Sequence, residues 1–141
     1  MEEKMSCRSL VLVKRSIPIE QMKGKSYDCK EDFISYSEGM VENVYFGIYH
    51  FGFIISSENV STFVKNQKEK LADVAELVFW AERFKNEERP VVALGEIKDF
   101  PNTDKPKRVV CLIKRADGKR YLEWYDWNAN WPESTIFLVR E

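Results

Sequence analysis

Apolar positions along the chain fall into short runs of strand length, interrupted once by a long stretch at helical spacing. Ser9 to Lys14 reads Ser-Leu-Val-Leu-Val-Lys, and apolar residues at consecutive positions predict a strand buried on both faces, interior to a sheet. Pro18 then blocks further ladder pairing and Gly24 opens a polar loop. A short helix is expected near residues 29–37. Asp28 and Glu31 make a capping box, Cys29, Phe33 and Tyr36 share a face, and Gly39 stops it. Phe33-Ile34-Ser35-Tyr36 fits an extended segment as well.

Val44 to Ser56 is the most aromatic segment, rich in the β-branched and ring residues that favour strands. Gly47 and Gly52 mark weak points in it, so two strands joined near His50-Phe51-Gly52 and one long bent strand both fit. From Ser57 the spacing turns helical, with Ser56 or Ser57 as cap. Val60, Val64, Gln67, Leu71, Val74, Val78 and Ala81 recur at fours and threes until Pro90 ends the run. One dominant helix over residues 58–86 would be about 43 Å long at ~1.5 Å per residue. A chain of this size makes a globule roughly 37 Å across. A break is therefore expected near Lys65 to Lys70, and the half after Leu71 should carry the packing.

Val91 to Ile97 predicts another strand, with Gly95 as its weak link, and Pro101 and Pro106 mark a surface loop. Residues 108–127 then give the strongest local signal in the chain. Two β-prone runs flank Asp117-Gly118, a hairpin turn in which Gly118 takes φ > 0 without steric cost. A two-residue loop would pair Ile113 with Leu122 and Cys111 with Trp124. A three-residue loop with a Gly118 bulge would pair Leu112 with Leu122 and Val110 with Trp124. In either register Leu122 and Trp124 face the core, while Tyr121, Glu123 and Tyr125 face a side that another layer should partly cover. Trp127 to Ser134 is turn-rich, and Thr135 to Val139 closes the chain as a strand. The order predicts an α+β domain in which a mostly antiparallel sheet of about five to six strands packs on one dominant helix.

The 141 residues fit one globular domain able to bury its own core. With 22 basic and 23 acidic side chains, no global field draws the chain to nucleic acid or an anionic membrane. Cys7, Cys29 and Cys111 lack the spacing of a zinc site or a disulfide framework. The acidic Met-Glu-Glu-Lys start is unlike a signal peptide, and the apolar run from Val44 is too short to span a membrane. The expectation is a soluble cytoplasmic protein with no cofactor and no metal.

Candidate chemistry is sparse. His50, the only histidine, has no motif linking it to a carboxylate or nucleophile, so a small hydrolase or nuclease built on it is the weaker alternative. Asp28, Glu31 and Asp32 are explained by helix capping, and Cys111 by burial. Trp80 shares a helical stripe with Asp73, Glu76 and Arg83, opposite the apolar seam. It is either roofed by the Trp127 to Trp131 connection or exposed to a partner. The hairpin tip carries Lys105, Lys107, Arg108, Lys114, Arg115, Lys119 and Arg120, followed by Tyr121, Trp124, Tyr125, Trp127 and Trp131. Such a surface can follow a phosphate backbone and stack bases, so RNA or single-stranded DNA is an alternative partner.

Four tryptophans and six tyrosines without a catalytic constellation point first to a small non-catalytic binding protein. Its expected partner is another protein, as for an inhibitor- or immunity-like chain, or a second copy of itself. The expected contact residues are Trp80, Lys114, Arg115, Lys119, Arg120, Tyr121, Tyr125, Trp127 and Trp131.

Overall fold

The computed structural model describes residues 9–14 and 41–141; the helix expected near residues 29–37 lies outside them. In chain order the elements are β1 (Ser9–Lys14), β2 (Val41–His50), β3 (Ile55–Ser56), α1 (Ser57–Asn66), β4 (Lys70–Leu71) and α2 (Val74–Arg83). They continue with β5 (Val91–Asp99), β6 (Lys107–Lys114), β7 (Arg120–Asp126), β8 (Asn130–Trp131) and β9 (Ile136–Arg140). The main sheet runs β1-β2-β9-β5-β6-β7, with β4 paired on β9, and β3 and β8 form a separate two-stranded ribbon. Every pairing is antiparallel except β5 with β9. The fold is α+β with a mostly antiparallel sheet, as the sequence predicts.

The main sheet is covered on both faces, because alternate side chains along each strand point to opposite sides. Phe46, Ile48, Val110, Leu112, Leu122 and Leu138 meet α2 on one side. Val92, Val109, Cys111, Phe137 and Val139 meet α1 and the β8 segment on the other. The expected second layer over Tyr125 is therefore present. β1 departs from expectation. It ends the strand order among the described residues, with Val11 and Val13 buried but Leu10 and Leu12 exposed. An apolar run marks a strand without proving that both faces are covered.

The single dominant helix is two helices on opposite faces, and the interruption falls where length argued for one. Ser56 caps α1, its side chain accepting from Asn59 N at 3.2 Å. The helix stops at Gln67, where Lys68 takes φ +60, Lys68 N donates to Lys65 O at 2.9 Å, and Glu69 N donates to Val64 O at 3.3 Å. These paired bonds are the Schellman stop, with lysine where glycine usually stands. α2 restarts from Asp73, whose carboxylate accepts from Glu76 N while Glu76 Oε1 accepts from Asp73 N, both at 2.9 Å. This reciprocal cap begins a new helix whatever the apolar periodicity before it.

Between the helices the chain passes from one face to the other through a split in the sheet. β9 and β5 pair only at Val91 with Ile136 and Val92 with Phe137. Beyond that point β4 pairs with β9, Ala72 N donates to Leu138 O at 3.2 Å, and Gly95 N donates to Ala72 O at 2.8 Å. β5 bulges to admit it, the four residues between Ala93 and Lys98 lying opposite Val109 alone in β6. A Cβ at Gly95 would lie 2.4 Å from Leu71 O and 2.6 Å from Ala72 O, so the backbone approach requires glycine.

The hairpin adopts the three-residue loop. Val110 faces Trp124 and Leu112 faces Leu122. Gly118 takes φ +83, Gly118 N donates to Arg115 O and Arg115 N to Lys119 O, each at 2.9 Å. Asp117 holds the tip from both sides, accepting from Lys119 N and, at 2.5 Å, from the Tyr121 hydroxyl.

Candidate interaction surface

The basic hairpin that the sequence offers as a surface is tied into the fold. Arg120 is 8% exposed and donates to Ala81 O at 2.9 Å and Phe84 O at 3.0 Å, closing the C-terminal end of α2. Positive charge there complements the helix dipole and the unpaired last carbonyls. Lys114 pairs with Glu88 at 2.6 Å, and Arg115 binds Glu123 with its Nε at 2.7 Å. Arg108 lies over the Phe100 ring at 4.2 Å, with Lys98 5.4 Å from the centre of the Trp124 ring. Lys119 is exposed at the tip. Carboxylates on neighbouring elements thus neutralise Lys114 and Arg115, and burial against α2 withdraws Arg120 from the surface.

Among the described residues the large rings are mostly enclosed by the chain itself. Trp80 is 4% exposed, stacked on Phe84 at 4.8 Å within the α2-side core. Its cover is not the expected Trp127 to Trp131 connection, which lies on the opposite face of the sheet. Of its stripe, Glu76 is also buried, in an ion pair with Arg140, while Asp73 is half-buried and Arg83 exposed. Trp131 is buried and donates from Nε1 to Ser57 Oγ at 2.8 Å. Tyr121 is buried, and Tyr125 and Trp127 are half-buried against the α1-side core.

Among the described residues, exposed apolar side chains lie along β1 and β2 (Leu10, Leu12, Val41 and Tyr45), at Ile97, and at the turn after β2, where alone they border a groove. His50 ends that strand with Nε2 3.0 Å from Glu133 O. Gly52 takes φ +76 and turns the chain, and the next two residues are left outside, Phe53 at 38% and Ile54 at 68% exposure. The chain then re-enters as β3, held to β8 by Ile55 opposite Trp131, and caps α1. The result is a groove of about 490 Å³ lined by Phe51, Phe53, Ile54, Ile55, Ser56, Asn59, Phe63 and Asn130. No lining residue carries a charge. Phe51 fixes the floor, edge-on to Phe63 at 5.4 Å, to Phe53 at 6.0 Å and to Phe137 at 5.7 Å. Ring contacts thus run from the exposed corner into the core.

Behind the floor, Tyr49 donates to Glu69, and its hydroxyl is pushed well above the usual tyrosine range by burial first and by the Glu69 bond and charge second. Burial likewise raises the Cys111 thiol, which leaves it protonated and inert at neutral pH. Among the described residues no cluster of His, Cys, Asp or Glu could hold a metal, and no helix is long and apolar enough to cross a membrane. The Phe53–Ile54 corner was missed from sequence, although an apolar pair directly after a turn glycine was a visible signal. No family model matches the chain, and no curated protein or solved structure matches it at a significant level.

Proposed function

We propose that the chain is a non-catalytic binding protein, and that it engages another protein through the Phe53–Ile54 corner and the groove beside it. One observation carries this: an isoleucine left two-thirds exposed at the rim of an uncharged, ring-floored groove. Interface cores are depleted in charge and built from large apolar side chains, with amides and hydroxyls able to bond at the margin. Phe53 and Ile54 supply the first, and Ser56, Asn59 and Asn130 the second. A nucleic-acid ligand would find no cation in the groove to neutralise a phosphate. The volume lies within the range of pockets that accept a few side chains or a small ligand.

The test is a double substitution, Phe53→Ser with Ile54→Asp, compared with Lys119→Glu at the hairpin tip. The double variant should melt close to wild type, because both side chains are exposed, yet lose the protein that co-purifies with the wild type. Retention by the double variant with loss in Lys119→Glu would move the site to the hairpin.

A further inference from the structure

The stretch between α1 and α2 has the sequence of a helix and the conformation of a turn. From Ser57 to Arg89 the chain contains neither glycine nor proline. Val60, Val64, Leu71, Val74, Val78 and Ala81 keep helical spacing straight through the interruption. The stop is made by Lys68 at φ +60, a region that opposes any side chain with a Cβ. The position beyond it, where a Schellman stop prefers an apolar residue, is Glu69, whose Oε2 is buried without a hydrogen-bond partner. A strained, short connection written in helix-forming residues is the arrangement that invites exchange between copies.

We propose that residues 67–73 form a hinge that can straighten, fusing α1 and α2 into one helix and producing a domain-swapped dimer. In it, β1 through α1 of each copy completes the sheet of the other. β2 then pairs with the second copy's β9, and β3 with its β8, so the contacts between the two halves are made again between chains. Straightening releases the left-handed lysine and exposes the unpartnered Glu69 Oε2 to water. It gives up the β4 pairing, the Tyr49 bond to Glu69, the Ala72 bonds to Leu138 and Gly95, and the cap from Asp73. The fused helix, residues 57–83, is about 40 Å long at ~1.5 Å per residue, with α1 packed in one body, α2 in the other and the hinge bridging them. Because β2 and β9 are neighbours inside the sheet, exchange needs the sheet open and so occurs during folding.

The test refolds the full chain from denaturant at low and at high protein concentration, with products resolved by size-exclusion chromatography and light scattering. Concentrated refolding should yield a dimer that survives dilution and shows more helix per residue by circular dichroism than the monomer. Lys68→Gly, which makes the stop easy, should lower the dimer-to-monomer ratio roughly tenfold per hinge, and Asp73→Ala should raise it. The proposal is overturned by monomer alone from both wild type and Asp73→Ala at both concentrations. It is equally overturned by a dimer that has unchanged helix content, dissociates on dilution, or forms as readily in Lys68→Gly.

Discussion

Lys68 and Gly95 are opposite cases: glycine would suit the first position better than the residue there, and only glycine fits the second. Lys68 sits at φ +60 in a helix stop that favours glycine, while Gly95 is fixed by the carbonyls of Leu71 and Ala72 pressed against it. Lys68→Gly should therefore raise stability by about 1 kcal/mol in chemical denaturation. Gly95→Ala should lower it by about 2–3 kcal/mol, since backbone must move to admit the methyl group. Tyr49 adds a pH dependence. Its folded-state pKa is raised, by burial first and Glu69 next, so the neutral phenol is favoured in the fold. That contribution is complete below about pH 10, the ordinary tyrosine value, and is lost as pH climbs beyond it. Stability measured from neutral into alkaline solution should fall less steeply in Tyr49→Phe than in wild type. Side-chain type misled at this scale: Glu76 and Arg120 are charged and buried, because Arg140 and the last carbonyls of α2 satisfy them.

At the level of elements, what was legible is what local chemistry decides. Asp117-Gly118 placed the hairpin, and the choice of register followed from backbone geometry alone: Gly118 has positive φ and Asp117 does not, which selects the bulged loop. Ser56 and the strands from Val91 and Thr135 were equally readable. The helix break was reached from length rather than from its true signal, the Asp73-Val74-Ala75-Glu76 cap, which an unbroken apolar seam disguised. Asp73→Ala should cost about 1 kcal/mol of stability and fray the first turn of α2, visible as faster amide exchange there. β1 shows the opposite limit. Nothing in Leu-Val-Leu-Val states which strand will lie beside it, because pairing order is a property of the whole sheet.

Over the whole molecule, the aromatic content that pointed to a partner is largely spent inside. Trp80, Trp124 and Trp131 are buried, one side of the sheet packing on α2 and the other on α1 and β8. Counting rings along a sequence could not locate the surface, since enclosure depends on two layers contributed by distant segments. What remains outside at the Phe53–Ile54 corner is small, and its weight comes from position, on the rim of an uncharged groove rather than scattered. The most direct measurement is site-specific photo-crosslinking in the cells that make the protein, with the reactive group placed at Ile54 in one variant and at Lys119 in another. The account predicts a discrete protein adduct from position 54 and none from position 119. An adduct from position 119 alone, or one there that is sensitive to nuclease, would contradict it.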